Sequence, residues 1–171
     1  MVDVASNPSD AVEQALERFG DDILRLAFSY LKSREDAEDV VQDVLIRFMQ
    51  SAKIFEDMEH VKAWLLRVAA NLCKDKLKSA SRQREVAIPE GCELAISSEM
   101  TGDESDIVQA VMALPEKYRS VIHLYYFEEY STKEVADILQ KKEVTVRSLL
   151  KRGREKLEKM MKGDDGHAKR I

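Results

Sequence analysis

The sequence predicts an all-α protein: two small helical domains joined by an acidic flexible linker, the C-terminal one containing a helix-turn-helix. Three observations lead there. Only six Gly and three Pro interrupt 171 residues, and 35% of the side chains are charged, a composition that favours amphipathic helices. Apolar residues recur at helical spacing, and no stretch alternates enough to demand a sheet. Charge is also segregated by block: residues 1–80 carry a net −4, residues 81–116 a net −6 and residues 117–171 a net +5.

Helices are predicted near 9–19, 21–31, 34–51, 59–79, 104–113, 115–129, 131–139 and 144–161. Ser33 before Asp36 and Ser131 before Glu134 are cap-like starts, and Pro115 sits where a helix can begin. Domain boundaries follow: 1–80, a linker over 81–103, 104–162, and a disordered tail over 163–171. The linker rests on Pro89, Gly91 and Gly102 and on seven acids without a base between Glu85 and Asp106. Such a segment is either a solvated spacer or an acidic strand suited to a positively charged channel.

In REDAEDVVQDVLIRFMQ, Val40, Val41, Val44, Leu45, Phe48 and Met49 share one face, the predicted core side. Opposite them run Asp36, Asp39, Gln42, Asp43 and Ile46. An acidic stripe can be plain solvated surface. The apolar Ile46 framed by carboxylates instead suits a protein interface with basic residues across it. An exposed helix face offers nothing to split carboxylate pKa values, so acid–base catalysis is not expected of it.

The helix over 59–79 has Val61, Trp64, Leu65, Val68, Ala69 and Leu72 toward a core. Arg67, Asn71, Lys74 and Lys78 line its other side, with His60 at the start of that line. A basic face can be a solubility device, but Asn71 in its middle can both donate and accept at a base edge or backbone. In the preceding KIFEDMEHVKA, Phe55 and Met58 either pack inward or cradle an unstacked base.

Near the end, STKEVADILQKKEVTVRSLLKRGREKL reads as a short capped helix, a turn at Gln140–Lys142 and a longer helix. Val135, Leu139, Val146, Leu150 and Leu157 supply core, and Ala136 allows close approach. This is the outline of a helix-turn-helix, although surface helical hairpins share it. Thr145, Arg147, Ser148, Lys151 and Arg152 face outward on the half that would enter a major groove. Arg can pair with guanine, while Lys and Ser more often hold phosphates.

Other classes are excluded. No apolar run approaches the ~20 residues that span a bilayer. The N-terminal MVDVASNPSDAVEQ lacks the features of a secretory signal, so a soluble intracellular protein is expected. Cys73 and Cys92 form no CxxC pair, and His60, His123 and His167 have no metal-ligand spacing. Phosphate loops and nucleophile–base pairs are missing too, so neither an enzyme nor a cofactor is expected.

Four segments together carry a family pattern. SREDAEDVVQDVLIRF, KAWLLRVAANLCKDKLK, LPEKYRSVIHLYYFEEYSTKEVADIL and VTVRSLLKRGREKL, in that order, resemble a bacterial RNA polymerase sigma factor of the extracytoplasmic-function type over about residues 15–160. The resemblance implies that Asp36, Asp39, Gln42, Asp43 and Ile46 dock on the clamp helices of the largest subunit of core RNA polymerase. It implies that Asn71, Lys74 and Lys78, with Arg67 beside them, recognise and help melt the −10 promoter element. The −35 element would fall to Arg147, Ser148, Lys151 and Arg152. It also implies a linker threading toward the polymerase active site, an anti-sigma factor as a partner, a cytoplasmic location, and neither a small-molecule substrate nor membrane insertion. Lys141, Lys142, Glu143 and Val144 depart from the family's usual turn. Lys142 is a poor N-cap, and Leu149 stands where a basic residue is common. A freestanding helix-turn-helix regulator is the main alternative, and an all-helical adaptor without a DNA role is another. The regulator gives the acidic stripe no task, and for the adaptor charge reversal at Arg147 or Lys151 would leave function intact.

Overall fold

The computed structural model describes residues 1–84 and 103–165, with side chains described over 1–81 and 106–163. Among these residues the elements run β1 (Val2–Asp3), α1 (Pro8–Leu31), α2 (Arg34–Gln50), β2 (Ile54–Phe55), α3 (Met58–Arg84), α4 (Asp103–Ala113), α5 (Glu116–Ile122), a π-helical turn (His123–Phe127), α6 (Thr132–Leu139) and α7 (Glu143–Asp165). They fall into two compact units. The ribbon and α1–α3 make the first, and the body of the α4–α7 segment makes the second. Most of the acidic linker, Cys92 and residues 166–171 of the tail lie outside the described residues.

In the first unit α1 packs on α2 and α3, and α2 packs on α3. α1 is a single 24-residue helix rather than two helices divided at Gly20. A helical glycine costs about 1 kcal/mol against alanine. Phe19, Ile23, Leu26 and Ala27 are buried on either side of Gly20, and their burial outweighs that cost. Asn7 caps the helix start by accepting from the Asp10 amide, with Pro8 in the first turn. Ser33 Oγ accepts from the Asp36 amide at 3.2 Å, the cap predicted for α2.

α2 buries Ala37, Val40, Val44 and Phe48. Val41 and Leu45 are half-buried, and Met49 is 44% exposed, so the core face is narrower than the predicted six residues. α3 buries a wider arc than predicted. Leu66, Ala70 and Cys73 join Val61, Leu65, Ala69 and Leu72, while Trp64 and Val68 are half-buried. The reason is that α3 meets both α1 and α2.

Among the described residues the ribbon is the one departure from the all-helical reading. Val2 pairs with Phe55 and Asp3 with Ile54, antiparallel, and the Val4 amide donates to the Lys53 carbonyl at 3.0 Å. Two-residue strands are too short to leave an alternating pattern. Behind the ribbon, Phe48, Phe55 and Trp64 form a triad with ring centroids 5.8–6.0 Å apart. Phe55 therefore packs inward, and Met58 is half-buried.

In the second unit α7 packs on α4 and α5. Gly153 permits this approach: a Cβ there would lie 2.8 Å from Ile122 Cδ1 and 3.4 Å from Tyr118 Cβ. Arg119 is buried, and its Nη1 donates to the carbonyls of Met112 (3.0 Å) and Leu114 (2.8 Å). Those are carbonyls that the end of α4 leaves without helical partners. The helix predicted over 115–129 is α5 followed by the π turn, closed by Glu128 N–H donating to the His123 carbonyl at 3.2 Å. His123 stacks on Phe127 inside that turn. Ser131 and Glu134 form the predicted capping box at α6: the Glu134 amide donates to Ser131 Oγ, and the Ser131 amide donates to Glu134 Oε2. The Ser131 hydroxyl, which donates to Glu134 Oε2 at 2.6 Å, and then the Ser131 amide hold the Glu134 carboxyl below its ordinary pKa. α7 starts one residue before the predicted helix and continues to Asp165.

Glu129 and Gln140 occupy left-handed conformations, with φ of 58° and 54°. A side chain at such a position is strained, and glycine is not. Replacing both with Gly should raise the unfolding free energy by about 0.5–1 kcal/mol per site, less the added freedom of the unfolded chain. Arg119→Ala should lower it by roughly 2 kcal/mol by stranding the buried Leu114 carbonyl and the part-buried Met112 carbonyl. Chemical denaturation of the full chain measures both changes.

Candidate functional site

The acidic stripe stands clear of the core. Asp36, Asp39, Gln42, Asp43 and Ile46 are all exposed, Ile46 at 48%, although α2 is buried along its opposite side. Beside the stripe, Leu16, Gly20, Leu24 and Val41 floor a shallow groove between α1 and α2, with Asp21, Glu38 and Gln42 at its rim. Gln42 thus belongs to both features. One base sits among the acids: Lys76 of α3 lies 3.7 Å from both Asp36 Oδ1 and Asp39 Oδ2. Sequence spacing gave no sign of that contact, because Lys76 lies off the basic line read along α3.

Arg67, Asn71 and Lys74 are half-buried, and Lys78 is exposed. The line is therefore less open than periodicity alone predicts, for the same reason that α3 buries a wide arc. Arg67 Nε is shielded from solvent. Two other bases near this helix have partners within the unit. Lys62 pairs with Asp22 at 3.0 Å and lies over the Phe19 ring, and Lys53 lies over Trp64 at 5.5 Å. Ahead of α3 the ribbon turns Ile54 outward, 62% exposed, as it turns Phe55 in. This apolar side chain was missed in KIFEDMEH, where Phe55 and Met58 drew attention.

His60 is exposed at the start of the basic line. Its amide donates to Asp57 Oδ1 at 2.9 Å, so Asp57 caps α3, and its Nδ1 lies 2.8 Å from the same oxygen. The Asp57 hydrogen bond and charge, with Glu56 behind them, raise the His60 pKa. The bonds from His60, its amide's first, lower that of Asp57.

In the second unit Thr145, Arg147, Ser148, Lys151 and Arg152 are all exposed on the first half of α7, while Val146 and Leu150 are buried and Leu149 is half-buried. Val135 and Leu139 are buried and Leu157 is half-buried. Arg147 Nη2 donates to Glu143 Oε1 at 2.8 Å. Arg154 donates to the Tyr126 hydroxyl at 3.2 Å, and Lys156 lies over the Tyr118 ring. Among the described residues no three His, Cys, Asp or Glu side chains converge as for a metal ion, and no helix is long and apolar enough to cross a membrane.

The arrangement offers one acidic, partly apolar helix face and two basic helix faces. Because Asp57 stabilises the charged imidazole, the pair's contribution to folding is full below the ordinary histidine pKa. It is lost as pH rises through the raised one. The NMR titration midpoint of His60 should therefore lie above the ordinary histidine value, and Asp57→Asn should lower it. Equal midpoints in the two proteins would reject the pairing.

Family models match both units: Sigma-70 region 2 over residues 15–83 and Sigma-70, region 4 over residues 105–157. The chain is 30% identical to the ECF RNA polymerase sigma factor SigW of Bacillus subtilis, over 93% of each chain. It is 28% identical to the RNA polymerase sigma factor SigV of the same organism, over 77% of this chain and 79% of that one. Among solved structures, the sigma factor RpoE of Bartonella quintana, seen with the anti-sigma factor NepR, has a TM-score of 0.71 at 22% identity, covering 88% of this chain and 96% of that one. CnrH, seen with the cytosolic domain of CnrY, has a TM-score of 0.68 at 23% identity over 94% of each chain. The chain belongs to the extracytoplasmic-function (ECF) RNA polymerase sigma factors.

Proposed function

We propose that this sigma factor divides its contacts by helix face. The stripe Asp36, Asp39, Gln42, Asp43 and Ile46 docks on the clamp helices of core RNA polymerase. α3 and the loop before it engage the −10 element through Asn71, Lys74 and Lys78, with Arg67 at the edge. The first half of α7 engages the −35 element through Thr145, Arg147, Ser148, Lys151 and Arg152. Residues 1–80 thus serve polymerase and −10 binding, and 104–162 serve −35 binding. The acidic linker, expected over 81–103, of which 81–84 belong to α3 and 103 to α4, would enter the polymerase.

The observation that carries this reading is the division of α2. The helix buries Val40, Val44 and Phe48 while holding its carboxylates and Ile46 in solvent. Apolar area framed by charge matches the centre and rim of a protein interface. Electrostatic complementarity there would set the partner and the on-rate more than the raw affinity. On the DNA side, local positive charge displaces counterions whatever the net charge of the chain. Capture of unstacked bases would offset a melting cost of a few kcal/mol. The factor does no chemistry on DNA or RNA; positioning is its whole contribution. An anti-sigma factor covering these faces would hold it inactive, and its workplace is the cytoplasm, where polymerase is.

Asp39→Arg or Gln42→Arg should abolish co-elution with core polymerase at low salt while circular dichroism and melting stay unchanged. A folded variant that co-elutes normally would reject the assignment of the stripe. Arg147→Ala should reduce promoter use through the upstream element by about fivefold or more, with polymerase binding intact. Equal losses in both assays would indicate misfolding instead.

A further inference from the structure

We propose that Glu143 is a positioning residue for promoter reading: it anchors the Arg147 guanidinium to the first turn of α6 and so sets base preference at the expense of general DNA affinity. This rests on the reading above that Arg147 faces DNA. Glu143 opens α7, after a turn whose Lys142 supplies no side-chain cap. Its Oε1 accepts two hydrogen bonds, from Thr132 Oγ1 at 2.7 Å and from Arg147 Nη2 at 2.8 Å. One carboxylate oxygen therefore joins the start of α6 to a side chain one turn into α7. Glu preceding Arg by four residues is also the favourable order for a helical ion pair. The Thr132 bond first, then the Arg147 bond, keep the Glu143 carboxyl below its ordinary pKa, so it is charged at neutral pH.

The geometry leaves Arg147 able to read a base. A guanidinium has five N–H groups, and Glu143 takes one from Nη2. The other Nη2 proton still forms a two-donor edge with either Nε or Nη1, and such an edge pairs with guanine O6 and N7. The Arg147 side chain is 66% exposed even with that bond made, and the Glu143 carboxylate, itself held by Thr132, is what ties it to α6. A free Arg can reach phosphates on any sequence, and these contacts carry affinity without specificity. The carboxylate adds a second effect, because a negative charge at the groove-facing end of α7 repels phosphates generally. Glu143 therefore acts in two separable ways, by holding Arg147 and by its charge.

The test uses the full chain with core polymerase. Run-off transcription is measured from a genomic promoter that the wild-type holoenzyme uses, with its upstream element randomised. Non-specific binding of the full chain to random duplex DNA is measured in parallel. Glu143→Ala should lower the preference for guanine at one position by about threefold, from loss of the held geometry, and should raise non-specific binding. Glu143→Gln keeps an acceptor oxygen but not the charge. It should raise non-specific binding like the alanine variant while retaining most of the base preference. Thr132→Val, which leaves the Glu143 charge and its bond to Arg147 in place, should lower the preference and raise non-specific binding less than the alanine variant does. A merely structural role would reduce transcription from all sequences alike and leave the preference unmoved, which would overturn the proposal. So would equal loss of preference in the alanine and glutamine variants. If Arg147→Ala changes preference at no position, the underlying reading of α7 fails; if it does and Glu143→Ala does not, only the positioning role fails.

Discussion

A helix packed along one side alone leaves its other side free to meet something else, and α2 is packed that way. Ala37, Val40, Val44 and Phe48 are sealed, and on the other side of the helix Asp36, Asp39, Gln42, Asp43 and Ile46 face water. Lys76 stands beside Asp36 and Asp39, yet all the acids of that face stay exposed, so their charge can still reach a partner. α3 shows the opposite case. It meets both neighbours and buries a wide arc, and its polar line is correspondingly half-covered. The fold thus grades exposure: fully open on α2 and the first half of α7, partly closed on α3.

The graded exposure is compatible with an acidic chain that handles DNA. Net charge is −5, but what a phosphate meets is the charge within about a Debye length, roughly 8–10 Å at ordinary salt. Internal pairs edit that local field. Lys62 is tied to Asp22, Lys76 stands between Asp36 and Asp39, and Arg154 reaches Tyr126. Lys151 and Arg152 extend from α7 into solvent. The exposed surface pairs contribute little to stability. Their consequence is local: they lower the net positive charge around Lys62 and Lys76 and hold Arg154 to Tyr126, and under the proposed reading that leaves Lys151 and Arg152 the more available to DNA.

Most of this was legible in the residues. The helical periods, the caps at Ser33 and Ser131, and the outward placement of the α2 stripe and the first half of α7 follow from local rules that tertiary contacts respected. Where the structure differs, a non-local contact decided. Burial of Phe19 and Ile23 carries α1 through Gly20, against the local preference for a break. Contact with two neighbours, rather than one, widened the buried face of α3. The ribbon pairs residues about fifty positions apart, and no pattern in two residues announces it. The π turn over His123–Phe127 inserts a residue into an otherwise helical run, and periodicity cannot see that shift. Asp57 was legible in principle, as an acid three residues before His60 at a helix start, but the loop before α3 drew attention for its aromatics. Lys76 and Glu143 could be found only from coordinates, since what matters about each is which side chain on another helix it touches.

The central claim is that separate faces of one small chain hold a polymerase and a promoter together. The most direct measurement reconstitutes the full chain with core RNA polymerase and maps transcript start sites on fragmented genomic DNA. The account predicts a defined set of starts that needs both components, with two shared sequence elements upstream. Starts that are the same with and without the chain, or that share no upstream element, would contradict it.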